Sequence, residues 1–443
     1  MISTFLRIEN SPKLEGEITL HGAKNAAMVI LISLILAKGK SRLFNIPQSC
    51  DVKNILLLLQ QLGAHISIDP ITKAIDVDTS SIHNTYVSAE LMQKTRASVL
   101  VLGPLLARFG TADIALPGGD ADLGPRPINY HIHNLRKMGA NIQVTGNIIH
   151  GSAKKLHPHA IILDYPSVGA TENILMAATL TPGITRIVNA ALEPEVFDLI
   201  AILQKMGAAI TIQPPATIVI EGVAQLQPVE YTIMPDRLEA GSLLLAAAIT
   251  GGKLSLPQAR IQDLEIFLLK LQEMGHTVQT DATGTGLLFI ATQEPEAISL
   301  KTGPFPGFPT DLQAPMMVAQ CLAQGISTIE ETVYEDRLAP HARELIKMGA
   351  RIDIHGNKAI VYGGQALRGT LVNATNIRAS CALALAGLAA EEVTLMSGLH
   401  HWTRGYENLD HKLAQLGAKI SIVSSPSYDG KLAEQPIRQM PEI

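Results

Sequence analysis

Five arginines and a lysine stand out against an aliphatic background: Lys24 in GAKN, Arg96 in KTRAS, Arg126 in GPRP, Arg337 in YEDR, Arg378 in NIRAS and Arg404 in WTRGY. Guanidinium groups bind carboxylate and phosphate through paired hydrogen bonds, so the set predicts a small ligand carrying several negative charges. Chemistry on such a ligand also needs acids and bases. Asp311 in FPTD and Asp120 in the loop LPGGDADLGPRPI, residues 116–128, are the candidates.

The elements that must position these groups recur along the chain. The pattern Leu-x-x-(Leu or Met)-Gly-(Ala or His) appears six times, with its glycine at 63, 139, 207, 275, 349 and 417. A period of roughly 70 residues marks a structural repeat. Each copy predicts the last turn of an amphipathic helix, ended by a left-handed glycine and followed by an alternating strand such as AITIQ or RIDIHG. Upstream lies a second helix, apolar all round, such as GSLLLAAAITGG or CALALAGLAAEE, which must be buried on every side. The unit therefore reads strand, buried helix, strand, outer helix, strand pair. Three units suit one domain, so six predict two, with a boundary near Pro235 and an exposed tail at 424–443.

The unusual polar residues fall at two places in the unit. One is the start of the buried helix: GAKN, KTRAS, SVGATEN, PDRLE, FPTD and NIRAS. Helix N-termini offer free N–H groups and about half a positive charge, so six of them converging predict an anion site. The other place is the end of the following strand, in PQSCD, GGDADLGPRP, EPE, ETVYEDR and HHWTRGYE. Asp236, Glu239 and Glu335 read as helix caps and surface charges. The same motifs supply few acids to balance the cations.

Composition sets outer limits. The chain has 443 residues, 47% hydrophobic, 17% charged and 4% aromatic, with a formal net charge of −5. A soluble globular protein without a global basic field is expected, which argues against nucleic acid or a membrane as partner. Cys50, Cys321 and Cys381 lack the spacing of a disulfide framework or zinc site, and a reducing cytoplasm fits them. The start, MISTFLRIENSP, does not read as a signal peptide, and the apolar run at 26–37 reads as a core helix rather than a membrane span. His131 with His133, and His400 with His401, read as packing histidines rather than metal ligands.

The ordered motifs GAKN, RAS, PGGD, GPRP, SVGATEN, EPE, PDR, FPTD, ETVYEDR and RGYE resemble the enolpyruvyl transferases from about Leu14 to Ile422. The resemblance implies an α/β fold of two inside-out α/β barrel domains with three repeats each, spanning 22–235 and 1–21 with 236–423. It implies transfer of the enolpyruvyl group of phosphoenolpyruvate to the 3-hydroxyl of UDP-N-acetylglucosamine, early in peptidoglycan synthesis, with release of phosphate and no cofactor or metal.

By the same resemblance, Lys24, Arg126 and Arg404 hold the phosphate, while Arg96, Arg337 and Arg378 grip the phosphoenolpyruvate carboxylate. Asn25 and Asp311 contact the amino sugar, Asp311 taking the hydroxyl proton. Arg126, Pro127, Ile128, Asn129 and Tyr130, with Ser167, Val168 and Gly169, match the uridine diphosphate site, and Val333 joins the substrate contacts. Asp120 takes the loop position that is Cys in most relatives, as general acid to the methylene carbon, which implies resistance to fosfomycin. The loop closes over the cleft and reopens around that acid.

The loop runs one residue longer than is usual, so Asp122 competes with Asp120. Cys50 stands for a common basic residue, Asn376 for a common Asp, and Thr403 for the Asp of DRGY, while Tyr165 and Asn129 alter the nucleotide rim. The alternatives are another acceptor, such as shikimate 3-phosphate or a free nucleotide, or a non-catalytic nucleotide-sugar-binding paralogue.

Overall fold

A computed structural model describes residues 4–118, 128–281, 284 and 286–424. The second repeat shows the unit in full. Strand Tyr86–Val87 leads into a buried helical segment, Arg96–Val101 continuing as Leu102–Phe109, and then strand Thr111–Ala115. The outer helix Asn129–Lys137 and the pair Asn141–Thr145 and Ile148–Ser152 complete it. The first strand runs parallel to Thr111–Ala115, which pairs antiparallel with Ile148–Ser152, as that strand does with Asn141–Thr145.

Six four-stranded sheets repeat this order, so the six copies of the sequence pattern are six structural units of the inside-out barrel type. The glycines that close the outer helices all have positive φ, from 93° at Gly275 to 108° at Gly63. Any residue with a Cβ is strained there, which is why this one position stays glycine through the repeats.

The buried helices sit inside and the sheets outside. In Arg237–Thr250 every residue from Leu238 to Ala248 is buried, and this helix packs with Gln313–Leu322 and Ile377–Ala389, which also pack on each other. Gly241 permits the approach, because a Cβ there would lie 2.4 Å from Leu312 Cδ1. One hydrophobic core gathers buried residues from Ala23 to Met234; a second gathers Leu6 to Leu20 with Leu238 to Ala418.

Three strands come from distant parts of the chain. Glu230–Thr232 leads the first sheet by pairing with Lys40–Phe44, Glu15–Glu17 leads the fourth beside Lys253–Leu256, and Thr4–Ile8 inserts between Thr394–Ser397 and Ile420–Ser424. The chain thus crosses between the cores twice, and the two passages touch. Ala23 N–H donates to Met234 O at 2.8 Å and Asp236 N–H to His21 O at 2.8 Å. Asp236 Oδ1 caps its own helix at Leu238 N and Glu239 N, while Oδ2 accepts from Lys24 N at the start of Lys24–Ser33. Asp236 is a cap as the sequence suggests. Glu239 is not a surface charge: it is buried and accepts from Lys412 Nζ and His21 N.

Candidate active site

A cavity of about 540 Å³ is lined by residues of both cores. The six buried helical segments present their first residues to it: Lys24, Arg96, Val168, Arg237, Thr310 and Ile377 are all in its lining. Three of these starts carry side-chain caps, from Ser167, Asp236 and Asn376. The Asn376 carboxamide oxygen accepts from Arg378 N and Ala379 N, a role open equally to Asp, so this replacement preserves the cap.

Two carboxylates organise the cations, which corrects the expectation that acids would be few. Asp51, 2% exposed and in the first turn of Cys50–Leu62, accepts from Lys24 Nζ at 3.1 Å and from Arg404 Nε at 3.0 Å. Lys24 is itself only 7% exposed. Asp311 accepts from Arg337 at 2.7 Å and Arg378 at 2.5 Å. Burial alone would raise the Asp311 carboxyl, but the Arg378 and Arg337 guanidiniums overrule it and hold it well below the usual range. Among the described residues each of these carboxylates is shared by two cations, an arrangement that aligns the cations toward the cavity.

Second partners fix these side chains. Arg337 also donates to Thr310 Oγ1, whose hydroxyl donates to Glu331, and Glu331 accepts from Val333 N and Tyr334 N. Arg378 donates to Tyr406 OH. Arg237 clasps Glu195 through Nε and a terminal nitrogen, at 2.9 and 3.1 Å. His131 accepts through Nδ1 from the Asn173 amide at 3.0 Å; burial, then Arg96, pushes its pKa down to about 3, so it is a neutral packing histidine. Burial, with Tyr334, Glu193 and Glu331 nearby, pushes the Tyr165 phenol up to about 12.

Lys24, Asn25, Arg96, Tyr130, Ser167, Val168, Gly169, Asp311, Val333, Arg337, Arg378 and Arg404 all line the cavity. Ile128 and Asn129 do not, and Asn129 is exposed at the start of its helix. Asp120, Asp122, Arg126 and Pro127 lie outside the described residues. The sequence reading missed Asp51, Arg237, Glu172, Glu193 and Glu195, although PQSCD, PDRLE, SVGATEN and EPE had marked their neighbourhoods. At the Asp51 helix start, Cys50 Sγ lies 3.8 Å from Thr403 Oγ1. The two positions at which the sequence is expected to depart from a base and an acid therefore touch.

The family profile of EPSP synthase (3-phosphoshikimate 1-carboxyvinyltransferase) matches residues 8–413. UDP-N-acetylglucosamine 1-carboxyvinyltransferase of Dichelobacter nodosus is 44% identical over 421 residues, 94% of this chain and 99% of the relative. That of Shewanella woodyi is 44% identical over 423 residues, 95% and 99% of the two chains. Among solved structures, the enolpyruvyl transferase NikO from Streptomyces tendae superposes with a TM-score of 0.87 at 24% identity, covering 96% of this chain and all of that one. EPSP synthase from Acinetobacter baumannii gives 0.72 at 18% identity, covering 95% of this chain. Sequence, sheet order and the helix starts gathered on one cavity agree that the chain belongs to the enolpyruvyl transferase family.

Proposed function

We propose that the chain transfers the enolpyruvyl group of phosphoenolpyruvate to the 3-hydroxyl of UDP-N-acetylglucosamine, releasing phosphate, at the start of peptidoglycan precursor synthesis in the cytoplasm. The observation that carries this reading is 44% identity across nearly the whole length of proteins bearing that activity's name. Among the described residues no helix is long and apolar enough to cross a membrane.

Charge placement supports the division of labour. Lys24 and Arg404, aligned by Asp51, take the phosphate, a role that the resemblance extends to Arg126; Arg337 and Arg378, with Arg96, take the carboxylate. While both guanidiniums clasp Asp311 it is a weak base. A substrate carboxylate competing for those donors raises its proton affinity, so Asp311 becomes basic when phosphoenolpyruvate is bound. Asp311 then accepts the hydroxyl proton as the sugar oxygen bonds to C2, and Asp120 protonates the methylene carbon. In the second half the C2–O bond to phosphate breaks, the methyl group returns a proton, and the double bond re-forms. Lys24 and Arg404 stabilise the charge that gathers on the departing phosphate. Asn25 and Val333, with Pro127, Ile128, Asn129, Tyr130, Ser167, Val168 and Gly169, hold the nucleotide sugar.

Residues 22–235, and 1–21 with 236–423, are proposed as two domains that close on this substrate about the paired crossings at Gly22 and Pro235. A phosphate-release assay tests the activity: release must require both substrates. Equal release with shikimate 3-phosphate, or none with the nucleotide sugar, overturns the reading.

A further inference from the structure

Beside its cationic clusters the cavity carries a second, acidic group of side chains: Glu172, Glu193 and Glu195. Two of them have partners. Arg237 clasps Glu195, and Glu193 accepts from Phe305 N at 3.3 Å. Glu172 has none: it is 5% exposed, lines the cavity, and among the described residues makes no hydrogen bond or ion pair. It stands one turn into Val168–Thr179, beyond Ser167, Val168 and Gly169, on a helix that continues through the hydrogen-bonded Asn173 into the apolar Ile174, Leu175, Met176, Ala177 and Ala178.

A carboxyl buried without a partner costs stability, and an apolar side chain of similar size would pack there without that cost. Such a group persists where a ligand supplies the missing partner. We propose that Glu172 contacts the acceptor substrate directly, hydrogen-bonding an uncharged polar group of it, a hydroxyl or an amide. The proposal rests on the nucleotide-sugar reading above and names a specificity contact within it. Burial, then Glu195 and Glu193, hold the carboxyl well above its usual range. It therefore offers an O–H donor and a carbonyl acceptor together, which matches the two-way bonding of a hydroxyl or amide.

The test compares Glu172→Leu, Glu172→Gln and the wild type, varying each substrate in turn and measuring calorimetric binding and thermal melting. The expected result is a tenfold or greater rise in KM and Kd for UDP-N-acetylglucosamine in Glu172→Leu. Its KM for phosphoenolpyruvate stays within twofold and its Tm is equal or higher, while Glu172→Gln restores most of the affinity. Glu172→Ala, measured by the same calorimetry, covers the case in which Leu does not fit. An unchanged nucleotide-sugar KM in the Leu or Ala variant overturns the proposal. So does a lower Tm with kcat and both KM values worsening together, the mark of a structural role. A wild type that turns over the nucleotide sugar while its variants bind normally refutes this contact alone; a wild type that neither binds nor turns it over refutes the functional reading as well.

Discussion

Replacing Asp51 by Asn removes the negative charge that Lys24 and Arg404 share among the described residues while keeping the shape of the side chain. Asp51 and Lys24 are nearly fully buried, so solvent cannot take over the lost partner, whereas Arg404, with 18% of its side chain exposed, can turn part-way to water. Breaking a buried pair from one side costs about 3–5 kcal/mol, and the partial escape of Arg404 places this case near 3. For halves of this size that is a fall in Tm of about 6–12 °C. The freed cations should then bind a dianion in place of the aspartate. Inorganic phosphate at ten times its Kd returns about 1.4 kcal/mol, so its thermal shift should be larger in Asp51→Asn than in the wild type. Turnover should fall at least tenfold, because the two groups are no longer held where the phosphate departs. Differential scanning fluorimetry with and without phosphate, beside the phosphate-release assay, reads all three effects. A melting point within 2 °C of the wild type, or the same phosphate shift in both proteins, refutes the claim that Asp51 is the counter-charge that sets these cations.

Arg404→Lys keeps the charge but loses the planar fork, and should lower kcat more than tenfold, about 1.4 kcal/mol or more in the barrier; a change confined to KM would mean binding alone. Asp120→Asn should abolish most turnover, and Asp120→Cys should keep it yet become inactivated by fosfomycin over time, since a thiolate is the stronger nucleophile; covalent inactivation of the wild type, or loss with Asp122→Asn instead, puts the acid elsewhere. Burial holds His131 at about 3, His276 at about 4 and His341 at about 3, with Arg96 adding to the first and Arg337 to the last. These folded values lie below the unfolded one, so the unfolded chain takes up protons that the native state refuses, and stability falls as pH drops from about 6.5 toward 4, by about 1.4 kcal/mol per pH unit for each histidine. The urea midpoint should therefore decline between pH 7 and pH 5, less steeply in His276→Gln, and a flat profile would contradict it.

The repeat is written in the sequence. Helix-ending glycines and wholly apolar helices are local facts, since a positive φ and burial on every side are written in one residue type or one short window. The six φ values and six sheets follow from them. Much of the cavity lining was legible too, because the helix starts that carry Lys24, Arg96, Asp311 and Arg378 are generated by the same repeat. The pairing of charges across the cavity came from the folded chain alone. Asp51 meets Arg404 across 353 positions of chain, and Asp311 meets Arg378 across 67. An aspartate after Ser49 reads in sequence as one more residue of a capped first turn. That it is the shared counter-ion of two cations, and that Glu172 meets no cation among the described residues, depends on which helix starts the two cores bring face to face, and no local pattern records that.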